Sequence, residues 1–376
     1  MLDVVIVGGG PVGLAAAIAV RRAGLEVALV EARTPPIDKA CGEGVMPAGV
    51  AALDELGVDL AGRGRDFSGI RYVADGLAAE ADFPAGARGR GVRRTELHAA
   101  LVARAAAVGV ELRFGERVER LVAVGVATAR GELAARYVVG ADGLRSRVRG
   151  WAGLDGPPSR RPKRFGVRRH LAATLAGERV EVVFGRGAEA YLTPLGSGEC
   201  GVALLWEGTA RGGFDELLAT RFPAALAARF AGAPRRSRDL GAGPFHVRAR
   251  AVRRGAIALV GDAAGYLDAL TGEGLALGFR EALELGSALA ANDLGRYARA
   301  SARLRRVPEA LTRLALAMAR RPALGRRVVA AIAAEPELFS AVLGALGAAR
   351  PVGTLARGAA VRFALRLAVP ARAAGA

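Results

Sequence analysis

The first thirty-three residues place a glycine-rich turn between two short apolar runs, and this arrangement constrains the fold more than any other feature. In order, the segment contains an apolar run at 4–7, the turn Gly8-x-Gly10-x-x-Gly13, an alanine-rich stretch ending near Gly24, a second apolar run at 27–30, and Glu31. Continuous apolar runs are typical of buried parallel strands, and a glycine-rich turn that opens a helix is typical of a dinucleotide-binding βαβ unit. The segment therefore predicts an α/β fold that begins with a Rossmann-like unit.

Each glycine of this turn has a separate physical role. Gly8 allows the tight turn, Gly10 lets backbone N–H groups approach a pyrophosphate, and Gly13 lets the helix pack close to the strand. The helix N-terminus favours phosphate charge, and Glu31 is placed to accept hydrogen bonds from the hydroxyls of an adenosine ribose. The alternative is an empty turn of the same shape. The predicted dinucleotide contacts here are Gly8, Gly10, Pro11, Gly13, Glu31, Ala32 and Arg33.

The bulk composition fits an enzyme with a large core. A chain of 376 residues with 52% hydrophobic residues predicts two or three domains. We find no apolar run of the roughly 18 residues that a membrane span needs, and the first strand starts too near Met1 to follow a signal peptide, so we expect a cytoplasmic protein. Cys41 and Cys200 are too few for a four-thiolate iron–sulfur cluster, and no metal-binding spacing surrounds them.

The formal charge of +18 comes almost entirely from arginine. The densest basic cluster is Arg160, Arg161, Lys163, Arg164, Arg168 and Arg169. It contains a single aromatic residue, Phe165, whereas nucleic-acid surfaces combine charge with several stacking aromatics in a recognisable module. We therefore expect no nucleic-acid partner, and we leave open a peripheral contact with an anionic membrane surface.

Two later segments repeat the pattern of an apolar strand followed by a glycine-containing acidic turn. One runs from Tyr137 to Asp142-Gly143, and the other runs from Ala256 to Gly261-Asp262. The stretch Thr271-Gly272-Glu273-Gly274 then opens a helix that reaches Ala291. A flavin dinucleotide needs such additional contacts, because its ribityl chain and ring system extend well past the first βαβ unit. The three motifs together therefore predict bound FAD.

In order and spacing, these motifs resemble the FAD-dependent superfamily of para-hydroxybenzoate hydroxylase-type monooxygenases and geranylgeranyl reductases, over about residues 1 to 290. The resemblance implies that Asp262 binds the ribityl chain and that the helix N-terminus at Gly272 to Leu275 faces the flavin, where its dipole stabilises negative charge. Asp142 is either a bridge between cofactor and nicotinamide or a helix cap. The predicted cofactor contacts in these motifs are Asp142, Gly261, Asp262, Gly272, Gly274 and Leu275.

Two other segments are assigned by the same resemblance. Arg94 opens a helical pattern and is expected to bind the pyrophosphate, with Arg93 as the competing residue. The segment Asp38 to Pro47 resembles a loop that the reductase branch carries beside the flavin, so Cys41 and Gly42 are expected to contact the cofactor. Cys41 is a proton donor, a redox thiol or a small packing residue.

The residues between the motifs predict a second, mixed or antiparallel sheet over the active site. Strand-like runs occur at 67–73, 164–171, 179–184, 188–193 and 199–206. The predicted organisation is a discontinuous FAD-binding domain (1–64, 93–155 and 240–291), an inserted substrate-domain sheet (65–92 and 156–239) and a C-terminal helical region (292–376). Prolines at 308, 322, 336 and 351 are expected to break that helical region. The stretch 355–369 is expected to form a packed helix, with a membrane anchor as the alternative.

The expected activity is NAD(P)H-driven oxidation-reduction of a small aromatic or lipophilic molecule. The resemblance implies either a monooxygenase that hydroxylates an aromatic, polyketide-like or lipophilic substrate through a flavin hydroperoxide, or a reductase that hydrogenates the alkenes of a prenyl or lipid chain. We favour the monooxygenase, because the reductases' substrate-pocket pattern around Tyr191 is not kept. A non-catalytic flavin-binding protein is a remote alternative. The candidate catalytic residues are Cys41, His170 and Tyr191, and His170, at the end of the strand-like run 164–171, is placed to face the substrate.

Overall fold

The computed structural model describes residues 1–158, 161–196, 198–209, 213–269 and 272–346. Its strands are β1 (Leu2–Val7), β2 (Val27–Glu31), β3 (Gly44–Val45), β4 (Arg65–Phe67), β5 (Gly69–Ala74), β6 (Leu77–Asp82), β7 (Gly89–Gly91), β8 (Glu111–Phe114), β9 (Val118–Val122), β10 (Gly125–Thr128), β11 (Gly131–Leu133), β12 (Ala135–Gly140), β13 (Arg164–Ala172), β14 (Arg179–Gly185), β15 (Ala188–Gly196), β16 (Glu199–Glu207), β17 (Leu240–Ala242), β18 (Val247–Arg248), β19 (Arg253–Arg254), β20 (Ile257–Leu259) and β21 (Gly265–Tyr266).

The α-helices in the same ranges are α1 (Pro11–Arg22), α2 (Pro47–Leu56), α3 (Arg94–Ala107), α4 (Arg147–Trp151), α5 (Phe214–Arg221), α6 (Ala224–Arg229), α7 (Gly274–Ala290), α8 (Leu294–Arg320), α9 (Pro322–Ala333) and α10 (Pro336–Leu346). Short 3-10 helices occur at Pro84–Gly86 and Gly261–Ala264.

The first layer is a six-stranded sheet in the order β19-β20-β12-β1-β2-β8, parallel except for the edge strand β19. Its central strands β1, β2, β12 and β20 are largely apolar because both faces of the sheet are covered there. Helices α1, α3 and α7 contribute to the core on one face, and the three-stranded β9–β11 meander contributes to the core on the other. The predicted Rossmann-like domain is confirmed.

The second sheet has seven strands in the order β17-β13-β16-β15-β14-β5-β6, antiparallel except where β14 pairs with β5. Helices α5 and α6 cover its outer face, while its inner face packs with residues of α8, α9 and α10. The α/β fold class with an inserted mixed sheet is therefore confirmed.

Three details of the seven-stranded sheet differ from the sequence prediction. Strand β6, which pairs with β5 at one edge of the sheet, was not among the predicted strands. The single strand expected at 67–73 is divided at Ser68 into β4 and β5, since the Ser68 hydroxyl donates to Asp82 and its backbone N–H donates to the Glu178 carbonyl. Strand β17 pairs with β13 and so lies in the seven-stranded sheet, although residues from 240 onward were assigned to the cofactor domain.

The C-terminal helices depart from prediction at one proline. Helix α8 continues through Pro308, so the expected break there is wrong. A proline in a helix interior removes one backbone hydrogen bond, and the packing of buried residues such as Leu304 and Leu316 keeps the helix continuous. Pro322 and Pro336 begin α9 and α10, where a proline is well tolerated. The helix expected at 355–369 lies outside the described residues.

Three arginines of the predicted basic cluster are internal. Arg164, Arg168 and Arg169 are buried and pair with acidic side chains, so they form no cationic surface patch. Within the ranges given above, no helix is both long enough and apolar enough to cross a bilayer.

Candidate active site

One cavity of about 730 Å³ lies between the six-stranded sheet and the inner face of the seven-stranded sheet. The carboxyl ends of strands β1, β2, β12 and β20 all lie at this cavity. Ligands of open α/β sheets bind at the carboxyl ends of the strands. Most of the predicted site residues line its wall: Gly8, Gly10, Pro11, Glu31, Ala32, Arg33, Cys41, Gly42, Arg94, Asp142, Tyr191, Asp262, Gly272, Gly274 and Leu275.

Three predicted site residues lie behind this wall. A Cβ at Gly13 would meet the Gly8 carbonyl oxygen at 1.9 Å, so Gly13 serves close packing. Gly261 lies against the side chain of Val12. His170 is 2% exposed and contacts Glu43, so the expectation that His170 faces the substrate is wrong for this structure. It is on the expected face of β13, but Glu43 lies between its imidazole and the cavity.

Glu31 organises the turn that the fingerprint forms. Its Oε2 accepts the backbone N–H of Gly9 at 2.8 Å, and its Oε1 accepts the N–H of Arg33 at 2.9 Å. The buried His98 supports the same turn, because its Nε2 lies 2.9 Å from the Gly9 carbonyl oxygen. Burial lowers the pKa of His98, so the ring is neutral and Nε2–H donates to that carbonyl. Gly8 at φ +115° completes a turn that a side chain would block.

The two candidate arginines at the start of α3 have different partners. Arg93 makes a bidentate ion pair with Glu199, with both N–O distances at 2.7 Å. Arg94 lines the cavity, and its guanidinium lies 3.8 Å from the position that a Cβ on Gly10 would take. Its buried Nε has no hydrogen-bond partner within the described protein. The geometry therefore favours Arg94 as the residue available to a phosphate.

Asp142 is a helix cap and a cavity residue at once. Its Oδ2 accepts the backbone N–H groups of Arg147 and Val148 at 2.7 and 3.2 Å, at the start of α4. Its Oδ1 is buried without a partner among the described residues, and the residue lines the cavity. The helix-cap alternative therefore describes this carboxylate, and the bridging role stays a prediction that its place in the cavity wall permits.

The Gly261-Asp262 turn is held by a buried ion pair between α7 and α8. Glu281 accepts the Gly261 N–H at 3.0 Å and pairs with Arg305 at 2.6 Å. Arg305 also donates to the carbonyls of Gly261 and Gly265, at 3.0 and 2.8 Å. These contacts leave the Asp262 carboxylate in the cavity wall, where Lys39 pairs with it at 3.2 Å.

The segment around Cys41 is fixed to the seven-stranded sheet and to the residues just before α3. Thr193 donates its hydroxyl to the Gly42 carbonyl at 2.8 Å, and the Val92 N–H donates to the Glu43 carbonyl at 2.9 Å. Cys41 is partly exposed and lines the cavity, whereas Cys200 is fully buried and burial raises the pKa of its thiol to about 12.

These residues fit FAD. Arg94 Nε and Asp142 Oδ1 are buried polar atoms without partners at the cavity, and Gly10 leaves the start of α1 open to a phosphate. The first turn of α7 lines the same cavity at Gly274 and Leu275. Arg94 and α1 would hold the pyrophosphate, Glu31 the adenosine ribose, Asp262 the ribityl chain and α7 the flavin edge.

The rest of the cavity is an apolar chamber against the seven-stranded sheet. Its apolar wall comprises Met46, Phe67, Ile70, Val180, Val182, Ala203, Leu205, Phe245, Ala269 and Leu343. Three phenols, those of Tyr72, Tyr191 and Tyr266, line the same space. Burial raises the pKa of Tyr72 to about 12 and the pKa of Tyr191 and Tyr266 well above the ordinary value. All three phenols therefore stay protonated near neutral pH.

Several residues that shape the site were not predicted from the sequence. Lys39 and Glu43 fall inside the loop that was assigned to the cofactor, but no local pattern shows their partners. Glu281 could have been predicted as a structural residue from the sequence, because helical spacing places it on the buried face of α7 with Gly278 and Leu285. A charge on such a face needs a buried partner, which here is Arg305.

The fold and the cavity together define a flavin-dependent oxidoreductase, and comparison with known proteins agrees. The family described as "FAD binding domain" matches residues 1–304. The chain belongs to this family, and the prediction of FAD as cofactor is confirmed.

Named relatives include both reductases and monooxygenases. The chain is 29% identical over 338 residues to menaquinone reductase of Mycobacterium tuberculosis, which covers 78% of each protein. It is 31% identical over 310 residues to rifampicin monooxygenase of Streptomyces venezuelae, covering 77% of this chain and 64% of that protein. A flavoprotein/dehydrogenase from Cytophaga hutchinsonii has the same fold, with a TM-score of 0.81 at 20% identity over 96% of this chain and 98% of that one. The protein is an FAD-dependent oxidoreductase.

Proposed function

We propose that this protein is an NAD(P)H-driven monooxygenase that hydroxylates a compact, lipophilic, ring-bearing molecule. The observation that carries the proposal is the apolar chamber with its three phenols, which is continuous with the FAD-binding part of the cavity. Because cofactor and substrate share about 730 Å³, the substrate's portion is only a fraction of that volume and favours a compact molecule. The similarity to rifampicin monooxygenase supports the same reaction class.

The chain's own residues bind, orient and exclude water. Bound FAD would transfer electrons from NAD(P)H to oxygen, because amino-acid side chains do not supply this redox chemistry. Arg94 and the start of α1 bind the pyrophosphate, while the N-terminus of α7 stabilises negative charge at the flavin edge. The apolar wall excludes water from the substrate, and the protonated phenols of Tyr191 and Tyr266 provide polar contacts for a ring substituent.

The balanced reaction is substrate C–H with O2, NAD(P)H and a proton giving substrate C–OH, NAD(P)+ and water. The test is a panel of apolar phenols and quinones, with NAD(P)H oxidation and product mass measured for each. We expect at least one ring compound to accelerate NAD(P)H oxidation and to gain one oxygen atom. No hydroxylated product from any active compound would contradict the proposal.

A second candidate, the hydrogenation of an alkene, is favoured by Cys41. Its thiol lines the cavity together with the phenol of Tyr266, so a thiol and a phenol lie in the same wall. The similarity to menaquinone reductase supports this candidate. A reductase would yield a product two hydrogens heavier without oxygen, and Cys41→Ser would impair it if the thiol delivers the proton. A hydroxylase should tolerate Cys41→Ser.

A further inference from the structure

Glu43 connects three parts of the structure through one buried carboxylate. The residue is 2% exposed and lies in the segment 38–44, which borders the cavity. Its Oε1 accepts the backbone N–H of Arg94 at 2.8 Å, at the start of α3. Its Oε2 lies 2.5 Å from Nε2 of His170 on β13, and Arg168 of the same strand lies 3.7 Å from Oε1.

The neighbours of His170 determine which ring nitrogen carries the hydrogen. A guanidinium nitrogen of Arg168 lies 3.3 Å from Nδ1, and arginine only donates hydrogen bonds. The Glu199 carboxylate oxygen, 3.8 Å from Nδ1, lies beyond hydrogen-bond distance, so Nδ1 accepts from Arg168 and the hydrogen on Nε2 donates to the Glu43 carboxylate. Both ring nitrogens of His170 then have hydrogen-bond partners, Arg168 at Nδ1 and Glu43 at Nε2, and neither nitrogen is directed at the substrate.

Strand β13 holds the segment 38–44 at both ends. Arg168 pairs with Asp38 at 2.6 Å, and His170 binds Glu43. Between these two contacts lie Lys39, which pairs with Asp262, and Cys41, which lines the cavity. The substrate-side sheet thus determines where this part of the cofactor wall lies.

The backbone of Glu43 indicates that its side chain has a specific role. Its φ of +60° lies in the left-handed region, which costs a non-glycine residue roughly 1 kcal/mol or more. The residues on both sides of Glu43 are glycines. A glycine at position 43 itself would adopt this conformation without that cost. The backbone conformation at position 43 favours glycine over glutamate. We therefore attribute the role of Glu43 to the contacts that its carboxylate makes.

We propose that Glu43 is a positioning residue that acts through His170. The Glu43–His170 contact, with the Arg168–Asp38 pair, fixes the segment 38–44 and the first turn of α3 against the substrate-side sheet. It thereby couples the placement of Cys41 and Arg94 to the sheet that forms the substrate chamber. This inference holds whether the reaction is hydroxylation or reduction, because it concerns the cofactor wall that both reactions share.

The test uses Cys41 as a reporter of the segment's position. Cys41 is partly exposed and Cys200 is fully buried, so the labelling rate of the native protein by a thiol reagent reports on Cys41, and Cys41→Ser checks this assignment. His170→Leu removes the donor to Glu43, whereas His170→Gln keeps an N–H donor near the Nε2 position. Asp215→Asn is the matched control, since Asp215 pairs with Arg169, the neighbouring residue whose side chain lies on the other face of β13.

We expect His170→Leu to label at Cys41 roughly tenfold faster and to bind FAD roughly tenfold more weakly, the size of effect that losing one charge-assisted hydrogen bond produces. His170→Gln and Asp215→Asn should keep wild-type values in both measurements. Wild-type labelling and FAD affinity in His170→Leu would overturn the proposal, as would an equal loss in His170→Gln. If His170→Leu does not fold, Glu43→Gln is measured in the same way, and wild-type values there would also overturn it.

Discussion

Lys39 Nζ lies 3.2 Å from Asp262 Oδ2, and this contact joins two segments 223 residues apart in the chain. One segment follows β2, whose Glu31 is the expected ribose acceptor, and the other is the turn expected to hold the ribityl chain. Both side chains are about one-third exposed, so the pair itself contributes little to folding stability. The pair instead matters for the site, because it holds the Asp262 carboxylate in the cavity wall.

Replacing Asp262 with alanine should lower FAD affinity and shift the visible flavin spectrum, because a carboxylate acceptor for a ribityl hydroxyl is lost. The expected loss is about 1.5 to 3 kcal/mol of binding free energy, which is roughly ten- to hundredfold in affinity. Fluorescence titration of FAD into the stripped protein measures it. Lys39→Met serves as the comparison and should change affinity less. An unchanged spectrum and affinity in Asp262→Ala would make Asp262 a turn residue only.

Glu31→Ala should purify with depleted flavin. The carboxylate is the expected ribose acceptor, and it also accepts the N–H groups of Gly9 and Arg33, so its removal should loosen the turn expected to bind the pyrophosphate. We expect a loss of roughly ten- to hundredfold or more in FAD affinity. Glu26→Ala, which removes an exposed carboxylate paired with Arg21, is the control. Normal flavin content in Glu31→Ala would contradict the ribose assignment.

Substituting the two arginines at the start of α3 should have different effects on FAD affinity and on thermal stability. Arg94→Gln should weaken FAD binding, because the guanidinium beside Gly10 is available to the pyrophosphate. Arg93→Gln breaks the ion pair with Glu199 and should affect thermal stability more than FAD affinity. Equal FAD affinity in the two variants would show that Arg94 has no special role. Calorimetric unfolding and FAD titration, done on both variants, give the comparison.

The stability of the protein should fall with rising pH because of Glu273. Burial raises the pKa of this carboxyl to about 8, partly offset by the positive charge of Arg280, and its Oε1 has no partner in the described structure. In the unfolded chain the group ionises near its ordinary pKa, so between about pH 4.5 and 8 the unfolded state binds fewer protons and becomes relatively more favourable. Glu273→Gln removes this dependence.

We therefore expect Glu273→Gln to unfold at nearly the wild-type temperature at pH 5 and at a higher temperature at pH 8, with FAD at the same concentration in every sample. Differential scanning calorimetry across this range measures the difference. A melting-temperature difference that does not change between pH 5 and pH 8 would mean that the buried Glu273 carboxyl is not the group responsible.

The cofactor side of the site was predictable because its geometry is encoded in local sequence. A strand, a glycine turn and a helix fix their own shape, so Gly8, Gly10 and Glu31 could be placed from spacing alone. Strands β5 and β13 to β16 of the second sheet were likewise predicted from their alternating pattern, whereas the edge strands β6 and β17 were not. These elements depend mainly on residues close to one another in the chain.

The remaining parts depend on contacts that spacing does not show. His170 lies on the expected face of β13, yet the distant Glu43 separates it from the cavity. Likewise, the Gly261-Asp262 turn was predicted, but the Arg305–Glu281 pair that holds it comes from the packing of two later helices. Whether the anionic membrane contact exists stays a prediction, although three arginines of the densest basic cluster are internal.

The most direct test of the proposed reaction is the fate of molecular oxygen. The holoenzyme is supplied with NAD(P)H, an active ring compound from the panel and oxygen-18 gas, and the product is analysed by mass spectrometry. A parallel reaction runs without oxygen. We predict a product that carries one oxygen-18 atom in the first reaction and no product in the second. A product that gains two hydrogens in both reactions would contradict the monooxygenase proposal and establish the reductase in its place.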